Sequence, residues 1–354
     1  MLQIPARHYN HDVPPISRVV LPILTMAFML ANTGCSNSGS GSSGLETALA
    51  RVSDTANNRD VIYYDNTAEL VTLVGSSLSA ESKGYGQLRG LGASSIVSFA
   101  DTLPGETGIN LFDENYAITA GNPSVALTLV AGGQDASLVT GRLTRLGWKK
   151  NADGALTGPP PLGAPGDSGT YAIAMAKVQA DNSDVLFGAS SANLSQIGSP
   201  SGTTLAGDSG ISALAGCLGN AVAAAMFGGP DISSVTAAPA EVAVGISQPA
   251  SASATPHAVV CVSWPSQAAA GTYAANVRKA LATGLSPLLN ERFSAVLPHA
   301  TVTSVGGDAH VVEWQASSPN IETVFNLVDE GSLPALPDCS KMTPAQAAQV
   351  IGCD

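Results

Sequence analysis

Apolar positions recur along this chain with two periods, two residues in short stretches and a helical turn in longer ones. Val61-Ile62-Tyr63-Tyr64 is β-branched and aromatic and predicts a buried strand. Asp65-Asn66-Thr67 then supplies a cap, and Ala68 to Val74 continues as a helix stopped by Gly75. Ahead of these, Leu45 to Ser53 reads as a short helix leading into the body. Tyr85 to Phe99 is mostly apolar with glycines and predicts a partly helical segment, and Leu103 to Gly108 a turn. Tyr116 to Gly121 and Ser124 to Val130 predict two strands. Gly132 to Asp135 breaks the second strand and caps a helix, Ala136 to Leu146, with Leu138, Val139, Leu143 and Leu146 on one face. Trp148 to Leu156 then reads as strand, turn and return, giving a βαβ-like unit with a small hairpin.

Gly158 to Gly169, with Pro159-Pro160-Pro161, is a loop or a soft boundary. Tyr171 to Val178 and Val185 to Gly188 predict a strand pair, Ala189 to Ile197 a short helix. Asp208 or Ser209 caps a long helix expected to run to Phe227, where Gly228-Gly229-Pro230 stops it. Ala240 to Ser247 and His257 to Trp264 are strands, and Gln267 to Thr283 a helix. Val302 to Ser304 and His310 to Gln315 are strands, and Ile321 to Val328 is a final helix. The second half thus repeats the grammar of the first. The expected fold class is α+β, two related lobes of mixed or antiparallel sheet with helices packed on one face, 45–165 and 166–338.

The N-terminal stretch follows a different pattern. Arg7 and Arg18 precede an apolar run from Val19 to Leu30, of signal-peptide size and short for a membrane span. Leu30-Ala31-Asn32-Thr33-Gly34-Cys35 follows, then Ser36 to Gly44, rich in Gly and Ser. This segment resembles the lipobox of bacterial lipoproteins, in which the cysteine is lipidated and becomes the mature N-terminus. The resemblance implies a signal peptide over 1–34, lipidation at Cys35, and a flexible tether over 35–44. It implies export and a lipid anchor on the outer face of the cytoplasmic membrane.

Charge sharpens that reading. Of 354 residues 12% are charged and 45% hydrophobic. Removing 1–34 takes 2 of 15 basic and 1 of 27 acidic residues, leaving 13 against 26 and a net charge of −13. An acidic body with few clustered lysines argues against nucleic acid and against electrostatic adhesion to an anionic bilayer. Membrane contact therefore falls to the lipid, and stable anchoring takes more than one acyl chain.

Beyond Cys35 four cysteines remain: Cys217, Cys261, Cys339 and Cys353. An even number in an oxidising compartment reads as two disulfides with three possible connectivities. Cys339 and Cys353 bracket a short C-terminal segment, 339–354, and are natural partners, which pairs Cys217 with Cys261. No Cys-x-x-Cys or Cys/His spacing supports a metal site.

Several phrases together are similar to a group of uncharacterised actinobacterial exported lipoproteins. They are Tyr63-Tyr64-Asp65, Gly92-Ala93-Ser94-Ser95, Gly108-Ile109 with Phe112-Asp113, Ala117 to Pro123, and Gly216-Cys217-Leu218-Gly219. That likeness implies a cell-envelope location and a duplicated α+β body, and it implies no activity.

The candidate chemistry is sparse. Gly166-Asp167-Ser168-Gly169 and Gly207-Asp208-Ser209-Gly210 resemble the nucleophile motif of chymotrypsin-like proteases, but the histidines upstream of Ser168, His8 and His11, lie in the signal segment. The plainer reading is a turn for the first and a helix N-cap for the second. His257, His299 and His310 are the mature histidines, and Asp308 lies two positions before His310, where the pair shares a strand face. Gly84-Tyr85-Gly86 with Gly90 and Gly92 has the wrong spacing for a dinucleotide loop, and Asp181 to Asp184 lacks the Gly and Glu of a calcium loop. Aromatics, at 5%, are too few for a stacking platform.

The sequence therefore points to a lipoprotein without catalytic activity that binds an envelope partner or a ligand, with no cofactor and no metal. A carrier of a lipid or other apolar ligand is the second reading, and a hydrolase using Ser168 or Ser209 the third. A large apolar pocket favours the carrier, and a filled core with a flat exposed patch favours the binding module.

Overall fold

The computed structural model describes residues 44–75, 84–161, 168–228, 241–306, 309–317, 320 and 323–337. The first half opens with α1 (Gly44–Leu49), α2 (Ala56–Asp60), β1 (Val61–Asp65) and α3 (Thr67–Val74), followed by α4 (Ser94–Val97) and α5 (Leu103–Glu106). Then come β2 (Tyr116–Ala120), β3 (Leu127–Ala131), α6 (Ala136–Arg145), β4 (Lys149–Lys150), β5 (Leu156–Thr157), α7 (Ser168–Ala174), β6 (Lys177–Asp181) and β7 (Asp184–Gly188). The second half holds α8 (Ser209–Leu218), β8 (Ala221–Gly228), β9 (Glu241–Ser247), β10 (His257–Ser263) and α9 (Gln267–Thr283). It continues with β11 (Leu285–Ser286), β12 (Glu291–Arg292), α10 (Phe293–Val296), β13 (Thr301–Gly306), β14 (Val311–Ser317) and α11 (Thr323–Asp329), and closes on β15 (Ser332–Leu333) and β16 (Leu336–Pro337).

Mixed helices and a large antiparallel sheet bear out the α+β class. Twelve strands join in one sheet, in the order β13-β14-β10-β9-β8-β1-β2-β3-β7-β6-β5-β4, and every neighbouring pair is antiparallel. One continuous sheet thus replaces the two separate sheets expected, and no neighbouring parallel pair of a βαβ unit exists within it. Its seam is the pairing of β1 with β8, where Tyr63 faces Ala225. Either side of the seam the same connection recurs: β2-β3, helix, hairpin, helix, then two strands returning as β7-β6, and β9-β10, helix, hairpin, helix, then β14-β13.

Alternate residues of each strand feed different cores, which places helices on both faces rather than one. Ile62, Tyr64, Ile118, Leu129 and Val259 point to a core shared by the two halves and covered by α1 and α8. On the opposite face two cores lie side by side. One sets Val244, Val260 and Trp314 under α9, α10 and α11. The other sets Ala117, Val130 and Phe187 under α4, α6 and α7.

Two sequence expectations change. The helix predicted from 209 to 227 ends at Leu218, with Gly219 at φ 59°, and 221–228 is strand β8. Its alanines favour a helix locally. Here they sit at the sheet's centre with both faces covered, where small side chains let neighbouring layers approach. Tyr171 to Val178 is not a strand: α7 turns Tyr171 inward and leaves Ile173 68% exposed, and the strand begins only at Lys177. Past residue 165, β6 and β7 continue the sheet by pairing with β5 and β3.

Candidate functional site

On the second face, beside α4 and α7, one row of side chains across the sheet forms the floor of a cleft. Tyr63 pairs with Thr119, Thr119 with Thr128, and Thr128 with Phe187, so all four point to the same side. Above this row opens a cleft of about 490 Å³, walled by Ser94 and Ser95 at the head of α4 and by Ile173 and Ala174 of α7. Val61, Pro123 and Ala126 also line it. Its lining is apolar with five hydroxyl-bearing residues, Tyr63, Ser94, Ser95, Thr119 and Thr128, and no His, Cys, Asp, Glu, Lys or Arg is among the residues lining it. Thr119 Oγ1 lies 2.7 Å from Thr128 Oγ1 and donates to the Gly92 carbonyl at 2.7 Å, so two of those hydroxyls are already engaged.

One step along β1 the floor becomes charged. Asp65 points to the same side as Tyr63 and is fully buried. Its Oδ1 accepts from the Gly92 amide at 2.7 Å, and its Oδ2 from Thr67 Oγ1 at 2.6 Å. The same Thr67 hydroxyl lies 2.8 Å from Oε1 of Glu114, which is 2% exposed. Arg89, 3% exposed, stacks its guanidinium 3.9 Å above the Phe112 ring, and the guanidinium nitrogens find no hydrogen-bond partner among the described residues. Burial pushes the Asp65 carboxyl up to about 6 against the hydrogen bonds of Thr67 and Gly92. Burial, reinforced by Asp65, raises Glu114 well above the usual carboxylate range. Burial also lowers Arg89, opposed by the two carboxylates.

Local sequence explains why these groups converge. Asn66 caps α3 by accepting from the Glu69 amide, which frees Asp65 to turn inward. Gly90 takes a left-handed conformation, φ 79°, that starts the tight turn over 91–93, and Gly92 lies against the backbone of Ala117. The whole apparatus rides on the connection 66–115 between β1 and β2. The matching connection in the second half, between β8 and β9, has 12 residues, 229–240.

Two ionic clusters lie elsewhere. Arg59 pairs with Asp54 and Asp208, fastening α2 to the start of α8. Arg51 pairs with Asp184 at 2.7 Å beside a polar cavity of about 630 Å³ that also reaches Lys177 and Asn193. Among the described residues no group of His, Cys, Asp and Glu has the geometry to hold a metal, and no helix is long and apolar enough to cross a membrane.

Of the residues singled out in the sequence, Cys217 on α8 and Cys261 on β10 are joined as a disulfide, with α-carbons 6.3 Å apart. Cys35, Cys339, Cys353, Asp167 and Asp308 lie outside the described residues. Ser168 opens α7. Ser209 opens α8, whose N-cap is Asp208, accepting from the amides of Gly210 and Ile211, as the plainer reading of that motif has it. His310 occupies a turn at φ 48° before β14 rather than a strand face. Sequence reasoning missed Arg89, Glu114, Thr119 and Thr128. The available signal was a charge or hydroxyl inside an otherwise apolar stretch, as with Arg89 between Leu88 and Leu91. Comparison with protein-family models, with curated proteins and with solved structures finds no match for this chain.

Proposed function

We propose that this chain is an exported lipoprotein, anchored at Cys35 to the outer face of the cytoplasmic membrane, whose duplicated α+β body acts by binding a ligand rather than by catalysis. The observation that carries the binding role is the cleft over Tyr63, Thr119, Thr128 and Phe187. Its volume of about 490 Å³ falls in the usual range for small-molecule sites, which are mostly apolar with a few convergent polar groups. An apolar molecule bearing a hydroxyl or carbonyl matches walls that offer Ile173, Ala174 and Phe187 beside Ser94 and Ser95. The lining holds hydroxyls but no imidazole, carboxylate, amine or thiol to activate them, which supports binding over turnover, since a hydroxyl nucleophile needs a base beside it. The same chemistry favours a small apolar ligand, the carrier reading, over a flat protein-docking face. The two-lobed body rests on the repeated connection either side of the β1–β8 seam.

Two measurements test this. Ile173→Glu places a charge at the cleft mouth, on a side chain already 68% exposed. It should abolish uptake of the uncharged fluorophore N-phenylnaphthylamine while leaving the circular dichroism spectrum unchanged, and undiminished uptake would refute the cleft as the site. Cys35→Ala should release the protein from membranes or stall it unprocessed. Unchanged lipid labelling in that variant would end the anchor assignment.

A further inference from the structure

The geometry points to a buried proton-binding pair, Asp65 and Glu114 bridged by Thr67, that is linked through Gly92 to the cleft and makes its occupancy depend on pH. The link to occupancy rests on the cleft being a ligand site; the proton pair does not.

A hydroxyl carries one proton. Thr67 Oγ1 lies within hydrogen-bond distance of two carboxyl oxygens, 2.6 Å from Asp65 and 2.8 Å from Glu114. If it donates to one, the other must donate to it, so one carboxyl holds a proton in the folded state. Asp65 is the ionised member, because it also receives the Gly92 amide. Glu114 is the acid: its Oε2 has no partner among the described residues, a position tolerable for a neutral carboxyl and costly for a charged one. The groups facing the pair agree. Arg89 faces both carboxyls, Asp113 faces Glu114, and Tyr64 beside Asp65 is kept neutral by burial. One proton on the pair together with Arg89 leaves the cluster uncharged overall, which suits three side chains at most 3% exposed.

Gly92 connects this pair to the cleft. Its amide donates to Asp65 while its carbonyl accepts from Thr119 on the cleft floor, and Ser94 and Ser95 of the wall follow it by two and three residues. A second proton, taken from solvent onto Asp65, turns a charge-assisted bond into a neutral one roughly half as strong. The wall is then held less firmly against the sheet, and a ligand that needs it in place binds more weakly in acid.

The test uses the full-length protein and N-phenylnaphthylamine, whose charge does not change over the range scanned. Carbon-13 spectra of glutamate-labelled protein should show the Glu114 carboxyl neutral at pH 7; a carboxylate there overturns the proton pair, whatever the cleft does. Probe affinity should fall roughly tenfold from about pH 7.5 to pH 5, within the span of ordinary coupling energies. Asp65→Asn should flatten that profile. A neutral Glu114 with a flat wild-type profile overturns the link, and a slope that survives in Asp65→Asn assigns it to another group and overturns it equally. Failure of the cleft itself shows separately, as uptake that Ile173→Glu leaves undiminished.

Discussion

Gly92 lies on the backbone of Ala117 so closely that a Cβ at position 92 would fall on the Ala117 carbonyl. The neighbour is main chain in the middle of β2, so it cannot rotate aside as a flexible side chain would. Gly92→Ala should therefore lift the 91–93 turn off the sheet and stretch the bonds to Asp65 and Thr119 that run through residue 92. The expected loss is about 1–3 kcal/mol, the usual scale for overpacking. Urea denaturation of both proteins reads it, and an unchanged midpoint would show that the turn is not seated as described.

Asp208 performs two tasks at the start of α8. Its Oδ1 accepts from the amides of Gly210 and Ile211 at 2.9 and 3.0 Å, and its Oδ2 pairs with Arg59 at 3.1 Å. Arg59 keeps Asp54 when Asp208 is removed, so no cation is left unpaired. Asp208→Ala should cost about 1–2 kcal/mol, mostly the cap, with a small share from a partly exposed ion pair. Asp208→Asn retains the cap and should recover most of that loss. Equal losses in the two variants would instead assign the effect to the charge.

These cases also show what can be read from sequence. Where local pattern and tertiary setting agree, the elements emerge with their ends: Gln267 to Thr283 is α9 residue for residue, and Val61 to Tyr64 is β1 short of one residue. Where they disagree, the setting prevails. Ala221 to Phe227 reads as helix and folds as the strand that joins the two halves, because only small side chains permit close layers on both faces there. The site was harder still. Asp65 reads as a helix cap, and nothing local shows that Asn66 takes the cap and leaves Asp65 to the interior. Arg89 and Glu114 are 25 residues apart in sequence, and only the folded connection 66–115 sets Glu114 on Thr67 and Arg89 near both carboxyls.

The carboxyl pair leaves a signature in the pH dependence of stability. Asp65 titrates at about 6 in the folded protein, against 3.8 for an ordinary aspartate. A raised value means that the native state binds its proton more tightly than the unfolded chain. The resulting stability is fully present below about pH 4 and is lost as the pH rises through about 6. At roughly 1.4 kcal/mol per unit the loss reaches about 3 kcal/mol. Glu114, raised well above the usual carboxylate range, contributes a decline of the same sign. Melting temperatures across that range should fall with rising pH, and Asp65→Asn should remove the part below neutrality. A wild-type curve that rises over the same interval would contradict the burial of these groups.

The bond between Cys217 and Cys261 closes a loop of 44 residues across the sheet's central strands. Cys217 sits one residue before the end of α8, and Cys261 in the middle of β10, where its side chain points to the core shared by both halves. Between them the chain passes through β8 and β9, so the bridge ties the helix to a strand two places beyond the one that follows it. In the chain-entropy account a loop of that length stabilises by about 4 kcal/mol, nearly all of it by restricting the unfolded chain. The folded structure should change little when both cysteines become serine, because Cys261 is buried in a strand held on both sides by β9 and β14. A double Cys217→Ser, Cys261→Ser variant should keep its circular dichroism spectrum and lose roughly that amount in guanidinium denaturation, with reduced wild type matching it. The single variant Cys261→Ser should lose more than the double change in the oxidised protein, because the thiol left on Cys217 becomes free to pair wrongly. Non-reduced peptide mapping that links Cys217 to any cysteine other than Cys261 would overturn the assignment.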